Sequence, residues 1–183
     1  MKMSRALSTL GLVILGSAGC ARAPAGAGLS GAGYGAPALT GGDQEFVTKA
    51  SQDSLLEIEL GREAAKRGST LEVKAFGEQM MKDHGKANDE LIQLARSKNM
   101  GLAPNLDERG QAKVADIKSL PQDKFDERYA KNMRADHEAD VKEVRKAAMA
   151  ANDPDVRAWA ARTLPVLEHH LEHVRTLEAK VSR

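Results

Sequence analysis

From residue 43 to the C-terminal end, four long stretches place apolar side chains every three to four positions. The breaks between them are short, long and short. A period near 3.6 describes amphipathic helices and leaves no alternating pattern for strands. Gly68 and Ser69 form the first break, Gly101 to Pro121 the second, and Asn152 to Pro154 the third. Two short breaks make two antiparallel hairpins, and a connection of roughly twenty residues is long enough to cross a bundle between them. The expected fold is therefore all-α, a ferritin-like four-helix bundle whose second and third long helices run parallel.

The expected boundaries follow from caps and breakers. Asp43 is a candidate N-cap for the first helix, which runs to about Arg67. Ser69 or Thr70 restarts the pattern, with Glu72 in the first turn, and it continues to about Lys98. A weaker, shorter helical stretch lies between Asn105 and Leu120, inside the long connection. The third long helix spans about Gln122 to Ala151, and Asn152 or Asp153 caps the last, with Pro154 at its first position. Pro165 falls inside that last helix and is expected to bend it rather than end it, because apolar spacing continues through Leu167, Leu171, Val174 and Leu177.

Residues ahead of the bundle read as an address and a tether. Lys2 and Arg5 precede an apolar run from Ala6 to Leu15, then small residues and Cys20, the one cysteine of the chain. That order describes a secretory signal peptide over residues 1–20, and the run is too short to span a bilayer. Leu15-Gly16-Ser17-Ala18-Gly19-Cys20 looks like a lipobox with Cys20 as the acylated residue, although Ser17 stands where Leu is usual. That departure leaves ordinary cleavage after Ala21-Arg22-Ala23 as the alternative. Residues 21–42 are almost all Ala, Gly, Pro and Ser, a composition that cannot bury enough apolar surface to offset chain entropy, so a flexible tether is expected. The bundle domain is then 43–183.

Charge and cysteine content exclude several function classes. Removing Lys2 and Arg5 from 27 basic side chains leaves 25 against 26 acidic ones, and that balance offers no electrostatic case for nucleic acid. A lone cysteine permits no intrachain disulfide and no thiol redox motif. No Ser-His-Asp order or phosphate loop is present, so hydrolytic and nucleotide-dependent chemistry have no support.

Placing residues at 100° intervals identifies polar groups that interrupt the apolar faces. Phe46, Val47, Ala50, Ile58, Gly61, Ala64 and Ala65 define the first face, with Glu57 inside it. His84 sits among Val73, Gly77, Met80, Ala87 and Leu91, and His137 among Tyr129, Met133, Val141, Val144 and Ala148. The last helix has a heptad seam of Val156, Ala160, Thr163, Leu167, His170, Val174, Leu177 and Val181. His169 and His173 fall off that seam and are expected to be solvated. One carboxylate and three imidazoles, one from each helix, make a candidate site for iron, copper, manganese or zinc through Glu57, His84, His137 and His170. The competing reading is a satisfied polar network that sets helix register without a metal. No Glu-x-x-His pair exists, which argues against a carboxylate-bridged di-iron centre.

One spacing occurs twice. Phe76-x3-Met80-x2-Asp83-His84 on the second helix matches Tyr129-x3-Met133-x2-Asp136-His137 on the third, which predicts paired layers at similar heights. Met80 and Met133 lie one turn from the histidines, a pattern compatible with copper, although plain core filling is the favoured reading.

Several of these motifs, in this order, resemble a family of bacterial exported proteins. They are Glu57-x-Glu59-Leu60-Gly61, Val73-Lys74-x-Phe76-Gly77-x-x-Met80-x-x-Asp83-His84, Phe125-Asp126-x-x-Tyr129, Met133-x-x-Asp136-His137 and Leu164-Pro165-x-Leu167-x-x-His170-Leu171. The family is domain of unknown function 4142, often labelled an outer-membrane protein and placed in the ferritin-like superfamily. The resemblance covers about residues 43–180, and its motif positions include Glu57, His84, His137 and His170. It implies the bundle fold and an envelope location, and no settled activity. A barrel is not meant, since strand alternation is absent.

The functional expectation is an exported envelope lipoprotein, facing the periplasm and anchored by lipid, whose bundle binds a metal ion in stress protection or metal handling. Arg22, where aspartate is associated with inner-membrane retention, favours the outer membrane. The alternative is a structural or protein-interaction module without metal, and a homo-oligomer is compatible with either. A redox enzyme would need an open coordination position and a path to it.

Overall fold

The computed structural model describes residues 38–182. Within them lie α1 (Gly41–Arg67), α2 (Leu71–Ser97), α3 (Glu108–Ser119), α4 (Gln122–Ala150) and α5 (Pro154–Val181). The signal segment, Cys20 and most of the tether fall outside the described residues. None of the described helices is long and apolar enough to cross a membrane.

Local chemistry sets each boundary. α1 begins at Gly41, ahead of the expected Asp43, with Thr40 at its N-cap position. Asp43 has a different task, because its buried carboxylate accepts from the backbone N–H groups of Asn152 (3.1 Å) and Asp153 (2.7 Å). It therefore ties the start of α1 to the turn between α4 and α5. Thr70 caps α2 by accepting from the Val73 N–H. α2 ends at Ser97 with Lys98 as its C-cap, close to the expected end at about Lys98: Asn99 beyond it has φ 57°, and the Met100 N–H reaches the Ala95 carbonyl at 2.8 Å. That is the Schellman closure, which needs a left-handed residue that asparagine tolerates. Asp153 caps α5 over Asp155 and Val156, as Pro154 requires. α5 continues through Pro165 to Val181.

α1 packs on α2 and α4, and α5 packs on α2 and α4, so α2 and α4 lie across the diagonal of the bundle. Their parallel direction follows from the ends. The Ser69 N–H, ahead of α2, donates to Asp126 near the start of α4, while the far end of α4 meets the start of α1. α3 travels back along α1 and α4 as the crossover. Arg67 anchors it, donating to the carbonyls of Ile117, Lys118 and Leu120 and covering the Phe125 ring at 4.5 Å. Gln52 holds its other end through Asn105 and Asp107.

α1 and α2 approach each other closely at a pair of glycines. A Cβ on Gly77 would meet the Gly61 carbonyl at 2.5 Å, and one on Gly61 would meet the Gly77 carbonyl at 2.7 Å. Only glycine permits this approach. It aligns the hairpin so that Leu60, Ala64, Val73, Phe76 and Met80 are fully buried between the layers. Each large aliphatic or aromatic side chain so buried contributes roughly 1.5–3 kcal/mol. The α1 stripe is rotated slightly from the expected one, since Leu60 is buried while Phe46 and Ile58 are half-buried. The α5 seam matches expectation from Val156 to Leu177, with Thr163 half-buried.

The repeated spacing on α2 and α4 becomes matched levels across the diagonal. Phe76 and Tyr129 meet edge-on at 6.3 Å, and His84 and His137 meet at 5.5 Å. Met80 and Met133 are fully buried in the core.

Candidate metal centre

Three helices each send one imidazole to the same level of the core. His84 from α2, His137 from α4 and His170 from α5 are 4%, 0% and 0% exposed. Their ring centroids are 5.4–5.5 Å apart. One nitrogen from each lies within 4.8 Å of the others, so the cluster could hold a metal ion. Among the described residues no other group of histidine, cysteine or carboxylate side chains meets that condition.

Hydrogen bonds orient two of the rings. His137 Nδ1 lies 2.9 Å from the Met133 carbonyl, which can only accept, so Nδ1 carries the hydrogen and Nε2 keeps its lone pair. His170 Nε2 donates to the Asp83 carboxylate at 2.9 Å, which leaves Nδ1 free. The two free nitrogens, His137 Nε2 and His170 Nδ1, face each other at 3.4 Å. Two lone pairs at that distance call for a cation between them or beside them. Nitrogens bound at about 2.0–2.1 Å to one tetrahedral ion lie about 3.4 Å apart, so the pair is already spaced as two ligands. His84 Nε2 is buried and has no hydrogen-bond partner, as a third ligand would be without its ion.

Burial also sets the protonation state. Desolvation, reinforced by the fields of His137 and His170, holds His84 well below the usual imidazole range. Burial pushes His137 down to about 4, with His170 adding to the shift and the Met133 carbonyl opposing it. His170 is also lowered, because burial outweighs its bond to Asp83. All three rings are thus neutral at pH 7, the form that binds metals. Asp83 on His170 is the carboxylate–histidine arrangement that orients a ligand and raises its basicity.

Glu57 is buried at 1% exposure on the core face of α1, but its carboxylate does not join the three nitrogens. Both its oxygens lack partners, as does the Tyr129 hydroxyl. Glu57 borders a cavity of about 480 Å³ between α1, α3 and α4, shared with Asp53, Asp136, Asp140, Lys49 and Lys113. Burial first, and then Asp136 and Asp140, raise it well above the usual carboxylate range. Asp136 bonds Lys113 from α3 at 2.5 and 2.6 Å and does not support a histidine.

Asp83 and Asp136 directly precede His84 and His137 in the chain, and adjacent residues on a helix do not face each other. Asp83 instead serves His170 on another helix, a pairing that spacing within α2 does not encode. Of the two outer histidines, His169 is exposed as expected. His173 is half-buried, edge-on to Phe76 at 5.0 Å and bonded to Gln79.

Known proteins agree with this fold. The family described as a domain of unknown function, DUF4142, matches residues 29–177. No curated protein matches the chain. Among solved structures, the chain is similar to one titled "Crystal structure of DUF305 fragment from Deinococcus radiodurans". The TM-score is 0.67 at 15% identity, with 80% of this chain and 99% of that one covered. That likeness shows a shared helical fold. With its motifs, its bundle and its matched span, the chain belongs to the DUF4142 family.

Proposed function

We propose that this protein is an exported, lipid-anchored envelope protein whose bundle binds one transition-metal ion through His84, His137 and His170. The observation that carries the reading is the pair of opposed lone pairs on His137 and His170, with the unpartnered His84 nitrogen beside them. Neutral imidazoles suit zinc, copper, iron and nickel, and carboxylate-rich cages suit magnesium and calcium. Copper or zinc fits this donor set best, and metal handling or stress protection in the envelope is the corresponding role. The bound ion would supply Lewis-acid or redox chemistry, while Asp83 and the Met133 carbonyl orient two of the rings.

Mass spectrometry of the full chain should find near-stoichiometric metal, lost on changing His137→Ala. Unchanged metal content in that variant, or none after reconstitution, would overturn the reading and leave the histidines as a packing device. The anchor is tested separately. Cys20→Ser should move the protein from the membrane fraction to the soluble periplasm, and an unchanged distribution would remove lipidation from the proposal.

A further inference from the structure

Three protein ligands leave one position of a tetrahedral site for something else. The structure has a space where that position could open. Between α2 and α5 lies a groove of about 160 Å³ whose lining includes His84 and His170, with Asp83 and Thr163 beside them. A smaller void of about 30 Å³ on the α1 and α4 side also reaches His84, and Thr163 borders both. His137 borders neither, so the free side of the cluster is the side of His84 and His170.

Charge indicates what would enter. The three ligands are neutral, and the nearest carboxylate in contact with them, Asp83, is already bonded to His170. A divalent ion there would keep most of its charge uncompensated in a low-dielectric core, which favours an anionic fourth ligand. Lys86 and Arg162 line the same groove, the latter held to Glu90 at 3.4 Å.

We propose that the metal of the three-histidine site accepts a small inorganic anion from the α2–α5 groove. This rests on the metal reading above and adds the class of ligand and its route.

The full chain loaded with cobalt(II) has a visible spectrum that reports its ligands. Azide should change that spectrum in a saturable manner. Ala87→Phe, which narrows the groove, should retain cobalt and weaken azide at least ten-fold. Arg162→Glu, which leaves the groove open and reverses charge at its lining, should weaken azide several-fold. A cobalt spectrum indifferent to azide would overturn this inference while the metal site stands, as would equal azide affinity in the wild type and both variants. Failure to bind cobalt, zinc or copper at all would overturn both proposals.

Discussion

Two groups of ionisable side chains occupy the middle of this bundle, and burial affects them in opposite ways. On the side of α2, α4 and α5, burial removes the charge from three imidazoles. On the side of α1, α3 and α4, burial raises the proton affinity of the Glu57, Asp136 and Asp140 carboxyls. The neutral imidazole is the metal-binding form, whereas the neutral carboxyl is not. The same physical cause therefore favours the ligand form in one group and opposes it in the other. Compensation differs as well. Lys49 and Lys113 reach the carboxylates, and Lys113 bonds Asp136 directly. No lysine or arginine bonds the three histidines among the described residues, where Asp83 supplies the one carboxylate contact, a hydrogen bond from the neutral His170 ring.

The largest test of this contrast exchanges one member from each side. Glu57→Gln should retain metal close to the wild-type level, whereas His84→Ala should lose it. Equal loss in the two variants would join Glu57 to the ligand set and erase the distinction. A smaller effect is expected one bond farther out. Asp83→Asn should weaken metal by about 10–100-fold, because the ring it orients remains but is less basic. An affinity unchanged by Asp83→Asn would show that the His170 ring is held by packing alone.

The smallest effect sharpens the acidic side, read as stability of the metal-free chain against pH. Burial, with Asp53 adding to it, raises Asp140 to about 7. A carboxyl with a raised folded pKa costs stability above that value, and the cost disappears as pH falls from about 7 toward 4. Asp140→Asn should therefore stabilise the chain by roughly 1–2 kcal/mol at pH 8 and by little at pH 4. The histidines act with the opposite sign. Their lowered folded pKa values take stability away as pH falls from about 6.5 toward 4. His137→Phe should flatten that acid limb if His137 is its source, and thermal unfolding of both variants across pH separates the two sides.

Much of this was legible from residue order because helices impose a period. The four long segments, the crossover and its short helix, the Asp153–Pro154 start and the α5 seam all follow from spacing and capping. The same period selected Glu57, His84, His137 and His170 as polar residues on apolar faces, and all four are buried. Phe76 and Leu60 were less visible, because how far a face extends depends on how closely the facing helix approaches. That approach is set here by Gly61 against Gly77.

Periodicity within a helix reports which way a side chain leaves its axis, and for this chain it determined the fold and the core residues of each helix. It contains nothing about what arrives from another helix at the same height. Asp43 at the turn before α5, Asp83 under His170, and the 3.4 Å approach of His137 to His170 join residues from 33 to 110 positions apart. Only the tertiary structure decided those meetings. It also decided that Glu57 lies with the acids of α4 and the lysine of α3, apart from the histidines, because the α1 face at that level turns toward the crossover.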